Sequence, residues 1–426
     1  MSQFDYLTAR IRIPINCPDE LKNGIAQFYA DPNNKQWGDH YSRVLYHETI
    51  HFWQVLSSGY IANVLSNEWL RLLWFETNNE IKPVTDQIMH FRERNSQPFS
   101  PQELAECWAR FWDVHTRNPE TILAEEGLVQ DYMESLNTVP NNKYGYSGEA
   151  YDYLMLKGNQ YSTYEAPYKW LLKSLSKSQY IVTMVNNNPE HVKKLVSYLA
   201  VLIFPVVVHG AFGSKDPVLI YKACINELIN NKGMLNEIIS KKPPGGRINL
   251  DWLNSWEYLK NELVAKVLRH NNMPDFTSGL DVISRGHLIG HPIYASYINQ
   301  ISKLKIRFEL ENKGLEDSVS NGNLEDLDYR FHICFLANDD VWAVFGQPGQ
   351  PNYRMILGEI MKPPMIEFDD FILYPNSVEN IESQYNKEPG SDSWQNGMKE
   401  FIHRVDQFRS AEFAVQNGLS IDAFAR

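Results

Sequence analysis

The sequence predicts an α+β protein, mainly α-helical, with an N-terminal strand and a mixed α/β C-terminal part. Apolar residues recur at helical spacing from about Gly38 to Lys313, whereas "LTARIRIPI" (Leu7 to Ile15) alternates with the period of a strand. Past the polar stretch Glu311 to Asp328 the segments turn rich in aromatic and β-branched residues.

Taken in order, the strand Leu7 to Ile15 is followed by a helix expected over Asp39 to Ser58. "SPQELAECWARFWDVH" opens a second helix, with Ser100 as N-cap, Pro101 at the first helical position and Glu103 three residues after the cap. Asn118 and Pro119 start a third in the same way. The apolar run Leu195 to Gly213 is nearly long enough to span a bilayer, but Pro205 interrupts it and polar segments flank it, so it reads as a buried helix. "KKPPGGR" (Lys241 to Arg247) is a loop, and long amphipathic helices are expected over Leu250 to Asn272 and His291 to Glu311. Strands are then expected within Arg330 to Gly346 and Met365 to Pro375, with "GQPGQPN" as turn chemistry between them, and a last helix from Ser393. The expected division is a first domain over 1–213 and a second over 214–426.

The 426 residues carry a formal net charge of -12, which argues against nucleic acid or an anionic membrane as a partner, since both need a basic face. Four cysteines (Cys17, Cys107, Cys224, Cys334) without C-x-x-C spacing favour reduced thiols. The first residues lack the basic and apolar regions of a signal peptide, so the expected location is the cytoplasm.

The chemistry concentrates in "HETIHFWQ", His47 to Gln54. His47 and His51 are one helical turn apart, so their imidazoles share a face and can bind one tetrahedral zinc. Glu48 lies about a hundred degrees around the helix, beside such a metal, where a base that deprotonates a water must sit. Gln54 lies on the histidine face a further turn on, suited to supporting a ligand or to packing. The apolar setting "VLYHETIHFWQVL" implies burial, and histidine and glutamate buried together need partners, which a metal supplies.

On a helix from Pro119, Ile122, Leu128, Val129, Tyr132, Met133 and Leu136 define one apolar face. Glu125 and Glu126 fall roughly 35 and 65 degrees from its centre, so something cationic must receive them. A metal would do so, and so would an arginine such as Arg43 or Arg71. Geometry alone slightly favours Glu125 as a ligand.

The His47 to His51 segment resembles the H-E-x-x-H helix of zincin metallopeptidases. "AEEGLVQDY" is similar to the motif that presents the third ligand, a glutamate, in the gluzincins of the aminopeptidase N group. The resemblance implies zincin-like catalytic helices, a zinc held by His47, His51 and Glu126, Glu48 as general base, and a peptide or protein substrate. Glu125 would then support a ligand histidine. It also implies that the helices between His51 and Glu126 are inserted without moving the ligand.

Two rivals use the same residues. Glu48-x-x-His51 and Glu400-x-x-His403 are spaced like the ligand pairs of helical di-iron carboxylate oxidases and oxygenases. A non-catalytic helical scaffold with a vestigial site is the other. His287 and His291 are also four apart, but Gly290 and Pro292 spoil the helix, so accidental spacing or a pocket lining is expected. His209 reads as a core histidine, and the tyrosines Tyr161, Tyr164 and Tyr168 as aromatic packing.

Overall fold

The computed structural model describes residues 3–13, 47–52, 54–56, 58–116, 145, 162–199, 216–241, 258–272, 288, 290–294, 307–309, 330–337, 340–346, 353–356, 365–367, 372–373 and 392–419. Strands β1 (Gln3–Asp5) and β2 (Arg10–Arg12) come first. Helix α1 (47–52 and 54–56) follows, then α2 (Gly59–Asn78), α3 (Asp86–Arg92) and α4 (Pro101–Thr116). Next come α5 (Ser162–Leu175), α6 (Gln179–Asn187), α7 (Pro189–Tyr198), α8 (Pro217–Asn230) and α9 (Lys232–Ser240). A π-turn (Lys260–Val264) leads into α10 (Ala265–His270). The remaining strands are β3 (Arg307–Glu309), β4 (Arg330–Ala337), β5 (Asp340–Gly346), β6 (Tyr353–Ile356), β7 (Met365–Glu367) and β8 (Ile372–Leu373), before the last helix, α11 (Asp392–Gln416). The described chain is thus mainly helical, with strands at its start and in its C-terminal part. None of its described helices is long and apolar enough to cross a membrane. Of the apolar run from Leu195, only residues 195–199 are described.

The chain forms two compact units, Met1–Met89 with Ser278–Cys334 and Asp339–Arg426, and His90–Thr277 with Phe335–Asn338. The boundary expected at 213/214 falls outside the described residues.

The first unit holds a four-stranded sheet of order β1-β2-β7-β8. β1 and β2 form an antiparallel hairpin, β2 runs parallel to β7 in the register Ile11↔Ile366, and β7 pairs antiparallel with β8. The expected strand from Leu7 is shorter than its alternation suggests, because residues 6–9 turn instead. Asp5 explains this, since its Oδ1 accepts from the backbone N–H of Leu7 (3.1 Å) and of Thr8 (3.4 Å) and so stabilises a turn. Ala9 completes it in the left-handed region at φ 48, a conformation that costs an alanine about 1 kcal/mol and persists only where neighbours enforce it.

Charges tie this sheet to α11. Arg10, fully buried, bonds Glu367 (2.9 Å) and Asp406 (2.8 Å), and Arg409 clamps the buried Asp5 at 2.7 and 2.5 Å. Burial would raise the Asp5 pKa, but the charge and hydrogen bonds of Arg409, with Arg10 behind it, hold it down at about 2. On α2, Arg71 bonds Glu68 (2.7 Å), Glu412 and the Lys82 carbonyl, with its guanidinium 5.4 Å from the Phe408 ring centroid.

A second sheet has the order β3-β6-β5-β4. Arg307–Glu309 corrects the helix expected over His291 to Glu311: its end is β3, paired antiparallel with β6. The alternating "IRFEL" around it suits a pleated strand better than a helix face.

In the second unit, α4 packs on α5, and α8 packs on α5, α9 and the α10 segment. The capping box expected at Ser100 is present: Glu103 N–H donates to Ser100 Oγ (3.1 Å) and Ser100 N–H to Glu103 Oε2 (2.7 Å). Phe99, Trp170 and Tyr221 form an aromatic cluster, with ring centroids 5.7 to 6.1 Å apart. Tyr168 is buried in this unit, as are the free thiols of Cys107 and Cys224, whose pKa values burial pushes up.

Candidate metal centre

Helix α1 carries the motif, and its burial follows from its composition. Ile50, Phe52, Val55 and Leu56 are buried, so the polar residues between them are drawn in with them. Ser58 separates α1 from α2. Its backbone is extended, its N–H still bonds the Gln54 carbonyl at 2.8 Å, and its Oγ accepts from Ile61 N–H as the N-cap of α2.

His47, Glu48 and His51 are 9%, 6% and 2% exposed, and Gln54 is fully buried. The two imidazole centroids lie 5.1 Å apart at 79°, the arrangement of two rings one turn apart on a common face. His51 Nδ1 lies 2.9 Å from Gln54 Oε1 and 3.1 Å from the Tyr6 hydroxyl. A side-chain carbonyl only accepts, so Nδ1 carries the proton and the ring's lone pair resides on Nε2, the tautomer a metal ligand needs. Phe4 stacks on His51 with centroids 6.3 Å apart.

Two buried imidazoles one turn apart suit a borderline-soft divalent cation better than a hard cation that prefers oxygen.

Glu125 and Glu126 lie outside the described residues, as do Arg43, His209 and His287. Glu400 and His403 of α11 are both solvent-exposed, unlike the inward-facing ligands of a di-iron bundle. His291 is fully buried, but its ring is occupied structurally. Its Nε2–H donates to the Leu7 carbonyl (2.9 Å), and its Nδ1 accepts from the N–H groups of Ile293 and Tyr294 (3.3 Å each). Burial pushes its pKa down to about 3 despite these bonds.

The chain matches no protein-family model, no curated protein and no solved structure.

Proposed function

We propose that the chain is a zinc-dependent metallopeptidase acting on a peptide or protein in a reducing, cytoplasm-like compartment. The observation that carries this reading is the burial of His47, Glu48 and His51 together on one helix. Groups of this kind are buried only where hydrogen bonds, ion pairs or a metal receive them, and two imidazoles one turn apart with a carboxylate in the same stretch suit a bound cation. His47 and His51 would be two ligands. The resemblance implies Glu126 as the third.

Zinc, when bound, would lower the pKa of a water and polarise the substrate carbonyl. Glu48 takes up the proton released as the carbonyl is attacked and delivers it to the leaving amine. Gln54 holds His51 in register by accepting its Nδ1–H.

Elemental analysis of purified protein beside His47→Ala tests the proposal. One zinc per chain against none is expected. Two irons would replace it with an oxidase or oxygenase, and metal with no hydrolytic or oxidative turnover would leave a scaffold. A metal-free wild type, purified from zinc-replete medium, would sink it.

A further inference from the structure

We infer that the β1–β2 turn belongs to the metal centre and that Tyr6 is its positioning residue, aiming His51 Nε2 through a contact on the opposite ring nitrogen. This rests on the zinc reading above.

The turn is an unusual support. Leu7, Thr8 and Ala9 are all buried, although they form the tip of a hairpin. Asp5, His291 and Tyr294 tie residues 6–8 of the turn in place. Asp5, clamped by Arg409, caps the Leu7 and Thr8 N–H groups. His291 Nε2–H donates to the Leu7 carbonyl, and the Tyr294 hydroxyl donates to the Tyr6 carbonyl at 2.9 Å. The left-handed Ala9 is sustained by this surplus of restraints. A turn held on every side presents Tyr6 at a fixed point.

That point is His51. The Tyr6 hydroxyl oxygen is 3.1 Å from Nδ1, whose proton also faces Gln54 Oε1. Two acceptors on one N–H draw it outward, which enriches the ring and makes Nε2 the stronger donor to a metal. They also fix the ring plane, since the two oxygens approach from different elements, one on α1 and one on the hairpin. The Tyr6 ring itself packs edge-on against Phe4 (5.2 Å) and His51 (5.9 Å).

Tyr6→Phe separates the two roles of the residue, because phenylalanine keeps the ring packing and removes only the oxygen. In the full-length protein, competition of a chelator for Zn2+ should show affinity reduced roughly tenfold in Tyr6→Phe and up to a hundredfold in Gln54→Leu. The second readout is the ring 15N spectrum of His51 in metal-free protein. The wild type should show one tautomer, with the proton on Nδ1, and Tyr6→Phe a mixture of both. A residue that merely packs would move neither readout, and that result overturns the assignment. So would a wild-type ring protonated on Nε2. If the wild type takes up no zinc, the metallopeptidase reading fails, and the tautomer measurement still decides whether Tyr6 positions His51.

Discussion

The most direct physical test of the first unit is the proton that His291 refuses. Its imidazole is fully buried and its pKa is pushed down to about 3, against 6.5 in an unfolded chain. Above pH 6.5 both states are neutral and stability does not depend on this group. As pH falls below 6.5 the unfolded chain takes up a proton that the folded one does not, so stability is lost, and the loss ends only near the folded pKa. The slope is about 1.4 kcal/mol per pH unit, or about 2–3 kcal/mol between pH 6.5 and 4.5. That is a large share of the roughly 5–15 kcal/mol that holds a domain folded. Replacing the residue by glutamine removes the titration and costs about 1–3 kcal/mol at neutral pH, because the Leu7 carbonyl and two backbone N–H groups lose well-placed partners. Urea unfolding of chelator-treated wild type and His291→Gln, at steps from pH 7.5 to 4.5, gives the comparison. The stability gap should narrow by about 2–3 kcal/mol across that range. A gap that stays constant, or a His291 ring that titrates near pH 6.5 by NMR, would show that the residue is not sealed in the core and refute the reasoning.

Glu48→Gln should keep its zinc and its fold while turnover falls on the order of a hundredfold to ten-thousandfold, since an amide cannot accept a proton; wild-type cleavage of a peptide library would remove Glu48 as the base. Chelator competition across Glu126→Ala and Glu125→Ala assigns the third ligand. The true ligand should lose several orders of magnitude in zinc affinity, against roughly ten- to a hundredfold for a residue that only supports one, and wild-type affinity in both would leave the set without its acid. Asp5→Asn should destabilise the chain by about 1–3 kcal/mol at neutral pH, because it removes a buried carboxylate from its pair with the part-exposed Arg409 and weakens the caps on the Leu7 and Thr8 N–H groups. The Asp5 pKa is lowered, so its contribution is complete above pH 4 and is lost as pH falls towards about 2; acid titration of both proteins should therefore show the variant losing less below pH 4, and parallel curves would contradict the clamp.

Local signals in the sequence carried far, and non-local ones did not. The capping box at Ser100 was legible because all of its partners lie within four residues. The strands after Arg330 were legible through their β-branched and aromatic residues, although the alternation at Leu7 overran the true strand by ignoring what Asp5 does to the next three residues. The H-E-x-x-H spacing marked α1 as a helix with both imidazoles on one face. It carried no trace of Tyr6, which reaches His51 across 45 residues from a turn that Asp5 caps locally and distant residues fix in place. His291 was equally silent, since its partners at Leu7 are 284 residues away.

The pairing of β2 with β7 has a consequence for how the chain comes into being. Arg12 bonds Glu367 across 355 positions, so the free edge of β2 has no strand beside it until β7 has been synthesised. The segment His90–Thr277, by contrast, supplies nearly all of its own unit and is synthesised without interruption. Synthesis at roughly 5–20 residues per second leaves the N-terminal hairpin waiting for tens of seconds with an open edge. Arg10 and Arg12 on β2 put positive charge on that waiting strand, which discourages two nascent copies from pairing with each other before the acidic partners Glu367 and Asp406 arrive.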